Sequence, residues 1–129
     1  MVQITGSENA DTITQFQNSN GGPFATASDD EILALGGADS VDGGGGADGL
    51  YGGRGNDTLS GGEGNDTIDG GISADRLSGG DGIDFLSYAS DTVGVRVDLY
   101  FRNVSGNGEA FGDALLDSFQ GVIGGSGND

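Results

Sequence analysis

Seven aspartates stand nine residues apart without a slip: Asp30, Asp39, Asp48, Asp57, Asp66, Asp75 and Asp84. Two residues after each comes an aliphatic side chain: Ile32, Val41, Leu50, Leu59, Ile68, Leu77 and Leu86. Most of the glycines fall in between, as in Gly-Gly-Arg-Gly-Asn-Asp-Thr-Leu-Ser over 52–60 and Gly-Gly-Glu-Gly-Asn-Asp-Thr-Ile-Asp over 61–69. A fixed internal period constrains a chain more than any other signal, because each unit is one structural element that cannot bury its apolar side chain alone. The same period returns an anionic side chain to one point of every unit, so it bears on fold and chemistry together.

Within a unit the glycines permit a tight turn that aims carbonyls inward. The three residues that follow, such as Thr58, Leu59 and Ser60, read as a short strand with its middle residue pointing in and its flanks out. Thr67 and Asp69 are outward by the same rule. Two units then make a coil of eighteen residues, and coils stack at about 4.7–4.9 Å. Aspartates eighteen apart fall one above the other. The fold class is therefore all-β, a parallel stack of turns and strands.

Stacked carboxylates at that spacing repel unless a cation sits between them. The chain has 129 residues and a formal charge of −17, from 21 acidic and 4 basic residues. That charge disfavours nucleic acid and anionic membranes as partners and makes cations the natural counter-ions. Low hydrophobicity with high charge usually means disorder; here the acids are periodic, so the expectation is disorder until something neutralises them. Histidine and cysteine are both absent, which removes the nitrogen and thiolate ligands that transition metals prefer. Carboxylates and carbonyls at a flexible turn suit Ca²⁺, which accepts six to eight oxygens, better than Mg²⁺, which demands a tight octahedron.

Along the chain, residues 1–24 hold one worn unit, Gly6–Thr14 with Asp11 and Ile13 in the key places, and a ten-residue loop, Gln15–Phe24. Residues 25–87 are the array. Residues 88–129 leave the period: Val93, Val95, Val97, Leu99 and Phe101 alternate with polar residues or glycine as in a half-buried strand. Asn103–Gly108 reads as a turn by composition, which makes a strand or hairpin excursion near the C-terminus. Gly108–Leu116 regains the repeat through Asp113 and Leu115, and Gly124–Asp129 resembles two-thirds of a further unit, as expected of a piece of a longer array. Tyr88, Phe101, Phe111 and Phe119 are expected in the core or at its end. Arg96 and Arg102 are expected on a solvated face or paired with acids. No stretch is long enough to span a bilayer. The first six residues lack the basic and apolar regions of a secretory signal peptide, which argues against that export route and not against others.

The unit resembles the nonapeptide of the RTX (repeats-in-toxin, haemolysin-type calcium-binding) family, Gly-Gly-x-Gly-x-Asp-x-aliphatic-x, firmly over Ala25–Ser87 and weakly in Gly6–Thr14 and Gly108–Asp129. The stretch IDFLSYASDTVGVRVDL also resembles a segment found beside such repeats. The resemblance implies a parallel β-roll (a right-handed β-solenoid), Ca²⁺ between neighbouring turns, and a secreted, extracellular bacterial protein exported through type I secretion machinery. In that family each ion lies between two loops eighteen residues apart. The earlier loop gives the carbonyls of its second and fourth positions and its aspartate; the later gives the carbonyls of its first and third positions and its own aspartate.

Carried onto this chain, the resemblance implies that Gly44, Gly46 and Asp48 act with Gly61, Glu63 and Asp66. Gly53, Gly55 and Asp57 act with Gly70, Ile72 and Asp75, and Gly62, Gly64 and Asp66 with Gly79, Asp81 and Asp84. On the other flank Leu35, Gly37 and Asp39 face Gly52, Arg54 and Asp57. In the fifth set Thr26, Ser28 and Asp30 face Gly43, Gly45 and Asp48, with threonine and serine where other turns carry glycine. Five ions would take the charge from −17 to −7.

Competing readings are weaker. A disordered linker does not keep an aliphatic residue in phase over seven units, and a metal-free solenoid would use aspartate only for its turns. Gly44–Gly49 fits a dinucleotide-binding pattern and Asn56 and Asn65 fit glycosylation acceptors, both as by-products of the repeat. No EF-hand loop is present. Paired acids such as Asp81 and Asp84 could serve a glycosidase, but the metal reading claims both, so no catalytic activity is expected. The functional expectation is a calcium-binding module that folds on binding, a structural part of a larger secreted protein beside neighbouring domains. A polysaccharide- or cell-surface-binding module, or a fragment of an extracellular enzyme or toxin, is the alternative.

Overall fold

A computed structural model describes residues 1–14, 25–90, 92, 95–98, 103–106, 112–117 and 119–127, with 95–98 and 103–106 described by their backbone. Among the described residues thirteen strands follow one another: β1 (Gln3–Ser7), β2 (Thr12–Ile13), β3 (Glu31–Leu35), β4 (Ser40–Gly45), β5 (Gly49–Arg54), β6 (Thr58–Glu63), β7 (Thr67–Ile72), β8 (Arg76–Asp81), β9 (Phe85–Ser87), β10 (Val95–Asp98), β11 (Asn103–Gly106), β12 (Ala114–Leu115) and β13 (Gly121–Ile123). Among the described residues no helix is long and apolar enough to cross a membrane.

From β1 to β9 successive strands alternate between two sheets. One has the order β1-β3-β5-β7-β9-β13; the other runs β10-β11-β12-β8-β6-β4-β2. Within the array each strand pairs in parallel with the strand two units on, so Leu50 lies beside Ile68 and Leu59 beside Leu77, eighteen residues apart. This is the parallel β-roll. The strands are longer than three residues: β6 runs for six, because the inter-coil ladder continues through the glycine pair, Gly44 lying beside Gly62 and Gly45 beside Glu63. Glycines let the two backbones stay in pairing distance through the bend.

The aliphatic residues form two facing columns. Ile4, Ile32, Leu50, Ile68 and Leu86 come from the first sheet; Ile13, Val41, Leu59, Leu77 and Leu115 come from the second, and all are buried. Each such side chain contributes about 1.5–3 kcal/mol when fully buried. Ile4 is a core residue that the sequence reading did not single out, although it stands nine before Ile13. Tyr88 and Phe119 are buried as expected, while Phe101, Phe111 and Arg102 lie outside the described residues and Arg96 is described by its backbone only.

The worn N-terminal unit joins the roll. Ile4 pairs with Ile32 and Thr12 with Ser40, both across twenty-eight residues, so Gln15–Phe24 enters as a ten-residue insertion in one coil while the phase on either side survives. The loop itself lies outside the described residues. At the other end β12 pairs with β8 through Leu115 and Leu77, placing Asp113 and Leu115 back in the stack. The turn expected at Asn103–Gly108 is corrected: Asn103–Gly106 is strand β11, antiparallel to β10 with Asp98 opposite Asn103, and 107–108 lie outside the described residues. Cross-strand backbone partners outweigh the low strand propensity of glycine and asparagine here. Asp69, expected to point outward, is also corrected: it is buried, and the Ser87 hydroxyl donates to its Oδ2 at 3.2 Å.

Candidate metal centre

The two sheets meet along two edges, and the aspartates line both. Asp30, Asp48, Asp66 and Asp84 stack on one; Asp39, Asp57 and Asp75 stack on the other. Each is at most 3 % exposed. The backbone N–H of the first five along the chain donates to Oδ1 of the aspartate one coil later: Asp30 to Asp48, Asp39 to Asp57, Asp48 to Asp66 and Asp57 to Asp75, all at 2.8 Å, and Asp66 to Asp84 at 3.0 Å. One oxygen of each carboxylate therefore ties the coils together.

The other oxygen is left over. Oδ2 of Asp39, Asp48, Asp57, Asp66, Asp75 and Asp84 is buried without a hydrogen-bond partner. A buried acceptor in that state costs about 1–3 kcal/mol, more when charged, so six in register call for an explanation. Their surroundings supply one. A Cβ placed on Gly43 would lie 2.6 Å from Asp48 Oδ2 and 2.7 Å from the Gly61 carbonyl oxygen; on Gly52, 2.5 Å from both Asp57 Oδ2 and the Gly70 carbonyl; on Gly61, 2.2 Å from Asp66 Oδ2 and 2.6 Å from the Gly79 carbonyl. Carboxylate and carbonyl oxygens thus flank one small space on the first glycine of these three turns, as they do at Gly6 beside Asp11, while at Gly70 and Gly79 the nearest atoms belong to Asp75 and Asp84 and the Asp39 turn carries Ala34 in that place. In these three places the aspartate and the carbonyl are members of one carried-over set.

The remaining positions of the sets are also in the turns. The second-position carbonyls of Leu35, Gly44, Gly53 and Gly62 point along the stack at the corresponding residue one coil later, as do the fourth-position carbonyls of Gly37, Gly46 and Gly64. At Gly55 a Cβ would come within 1.5 Å of the Gly37 carbonyl oxygen, so only glycine fits without displacement. Third-position carbonyls of Arg54, Glu63, Ile72 and Asp81 each accept an inter-coil N–H, from Gly37, Gly46, Gly55 and Gly64 at 2.8–3.1 Å, which leaves one lone pair apiece. Among the described residues no three acidic side chains form a metal-binding group. A cation here would take one or two carboxylates and complete its shell with backbone oxygens, the donor set of calcium.

The first set differs. Asp30 Oδ2 accepts the Thr26 N–H at 2.7 Å and the Thr26 hydroxyl at 2.9 Å. Asp11 repeats this, its Oδ2 taking the Ser7 N–H at 2.6 Å. At the far end Asp113 gives Oδ1 to the Asp75 N–H and Oδ2 to the Tyr88 hydroxyl at 2.7 Å, and Gln120 Oε1 takes the Asp84 N–H at 2.6 Å in place of a further aspartate. Asp117 accepts the Gly79 N–H at 2.8 Å and the Ser78 hydroxyl. Asp117 carries no periodic signal, and Gln120 carries one of position alone, standing thirty-six residues after Asp84 without being an aspartate. Ser7 and Thr26 do carry one, since each stands four before its aspartate where the array has glycine or Leu35.

Burial is the main cause that pushes the carboxylates up, Asp48 and Asp75 to about 7 and Asp39 to about 6, with neighbouring aspartates adding to it; Asp57 and Asp66 are raised for the same first reason. Burial, with Asp113 alongside, also holds the Tyr88 phenol above its ordinary range, so it stays a donor. For the metal-free roll the sign follows. Folded carboxylates titrate above the unfolded 3.8, so their contribution to stability is fully present below 3.8 and is lost as pH rises through about 6–7. In metal-free buffer, circular dichroism should show more β structure at pH 5 than at pH 8. A flat profile would contradict the burial of these groups in the metal-free chain.

The family model of the RTX calcium-binding nonapeptide repeat, in four copies, matches residues 24–59 and 51–86. No curated protein and no solved structure matches the chain.

Proposed function

Residues 24–86 belong to the RTX calcium-binding nonapeptide repeat family, and from that premise we propose that the chain is a calcium-binding β-roll module that folds as it binds and serves as a non-catalytic part of a larger secreted bacterial protein. The observation that carries the metal reading is the row of six buried, unpartnered Oδ2 atoms, five of them, from Asp48 to Asp84, beside the first glycine of their own turn. Ca²⁺ answers both features at once: it supplies the missing partner, and it offsets the repulsion within a chain of charge −17. The residues that would hold it are the carried-over sets other than that of Thr26, Ser28 and Asp30, where Thr26 already occupies Asp30 Oδ2, most strongly Asp48 with Gly61, Asp57 with Gly70 and Asp66 with Gly79.

Secretion follows the same physics. Where calcium is scarce, self-repulsion keeps the chain open, which suits passage through a narrow export channel; where calcium is plentiful, binding compacts it. RTX proteins are typically secreted by bacteria, and type I secretion machinery is the partner this behaviour fits. The binding-module alternative has less support. Tyr51 and Phe85 are exposed aromatics on the first sheet, but Tyr51 has Leu33 and Asp69 in register beside it and Phe85 has Thr67 and Gly121, so they form no continuous stripe.

A calorimetric titration tests the proposal. Several calcium ions should bind, with affinity of about 10⁻⁴–10⁻³ M or tighter where sites couple, and magnesium at equal concentration should not replace them. No calcium-selective heat would end the reading.

A further inference from the structure

The array aspartates divide into two classes, and one backbone angle separates them. Four residues before Asp39, Asp48, Asp57, Asp66, Asp75 and Asp84 stand Leu35, Gly44, Gly53, Gly62, Gly71 and Gly80, with φ of 79°, 95°, 99°, 107°, 88° and 101°. These are the six aspartates whose Oδ2 has no partner. Four residues before Asp11 and Asp30 stand Ser7 and Thr26, neither of which has positive φ, and both donate their N–H to Oδ2. Left-handed backbone at this position accompanies an open carboxylate oxygen; ordinary backbone accompanies a closed one.

Leu35 makes the correlation informative. A side chain in left-handed backbone is strained, and Leu35 is 38 % exposed, so core packing does not explain it. It nevertheless follows the glycines, and Asp39 is open. Thr26, also not glycine, adopts the other state and adds its hydroxyl as a second donor to Asp30.

Resting on the calcium reading above, we propose that the residue four before each aspartate selects whether that turn takes an ion. In left-handed backbone it leaves Oδ2 for the cation; as Ser7 or Thr26 it closes the turn with its own donors. The turns of Asp11 and Asp30 are then metal-independent, and the ion ladder begins at Asp39 on one edge and Asp48 on the other.

The test counts bound calcium by native mass spectrometry and equilibrium dialysis, with circular dichroism to show that each variant folds. The double variant Thr26→Gly/Ser28→Gly gives the Asp30 turn glycine at both left-handed positions and should bind one ion more than the parent. Leu35→Thr should bind one fewer, and Thr26→Ser should leave the count unchanged. A folded double variant with the parental count, or a folded Leu35→Thr with none lost, overturns the selector. A parent that binds no calcium overturns instead the calcium reading beneath it. A measurement on the unaltered chain stands if a variant fails to fold: on adding calcium, the side-chain carboxyl ¹³C resonance of Asp39 should move and that of Asp30 should not. Movement of both to the same extent would also refute the proposal.

Discussion

Withdrawing calcium at neutral pH should collapse the roll: the β signal in circular dichroism should be lost in excess chelator and return when calcium is restored. The reason lies in what the coils bury. Each turn contributes one aliphatic side chain to the core and one carboxylate to the edge, and among the described residues the array turns at Asp39 to Asp84 leave six carboxylate oxygens unpartnered. At about 1–3 kcal/mol for each neutral orphan and more for a charged one, six cost roughly 6–18 kcal/mol or more. That matches or exceeds the whole stability of a typical domain, about 5–15 kcal/mol. A chain of charge −17 adds self-repulsion to the same side of the balance. Because the paired turns exist only in the folded chain, binding free energy becomes folding free energy. Retention of a full β signal in chelator at pH 8 would show that the roll is a metal-free solenoid.

Most of the architecture was legible because period and packing are the same fact here. A nine-residue repeat with one aliphatic residue per unit has few ways to bury Leu50 other than beside Ile68, and that pairing puts Asp48 beside Asp66. Periodicity could not show where hydrogen bonds replace an ion. Asp30 sits in perfect phase, yet Thr26 closes its turn; the clue was chemical, a residue with a hydroxyl where glycine is usual. Gln120 stands thirty-six residues after Asp84, four nine-residue periods, but it is not an aspartate and lies only seven residues after Asp113, so the repeat does not single it out. The β10–β11 hairpin was misplaced for a related reason. Composition reads Asn103–Gly108 as a turn, whereas the pairing partner that makes Asn103–Gly106 a strand lies elsewhere in the chain. Burial of Asp69 likewise escapes the repeat pattern, which puts it on the outward side of its strand.

Replacing Asp66 by alanine should remove calcium that replacing Asp30 does not. Asp66 is fully buried and has three duties. Oδ1 accepts the Asp48 N–H at 2.8 Å, its own N–H reaches Asp84 Oδ1 at 3.0 Å, and Oδ2 is open beside Gly61 and the Gly79 carbonyl. Alanine keeps only the N–H. The Asp48 N–H loses its acceptor and the adjoining turns lose a carboxylate ligand, a loss on the scale of breaking a buried ionic contact, about 3–5 kcal/mol. Asp30 is tied as firmly, to the N–H of Val2 and to both donors of Thr26, so its removal also costs stability, about 0.5–1.5 kcal/mol for each hydrogen bond. Stability alone consequently separates the two variants poorly. The ion count separates them well: Asp66→Ala should bind at least one ion fewer and need more calcium to fold, whereas Asp30→Ala should keep the parental count and lose only order at the β1 edge. The comparison is made by dialysis at saturating calcium, with hydrogen exchange to locate the loosened coils. Equal loss of ions in both would mean that Asp30 holds calcium despite its closed turn, and that the edge formed by Asp30, Asp48, Asp66 and Asp84 carries one ion more than its open oxygens indicate.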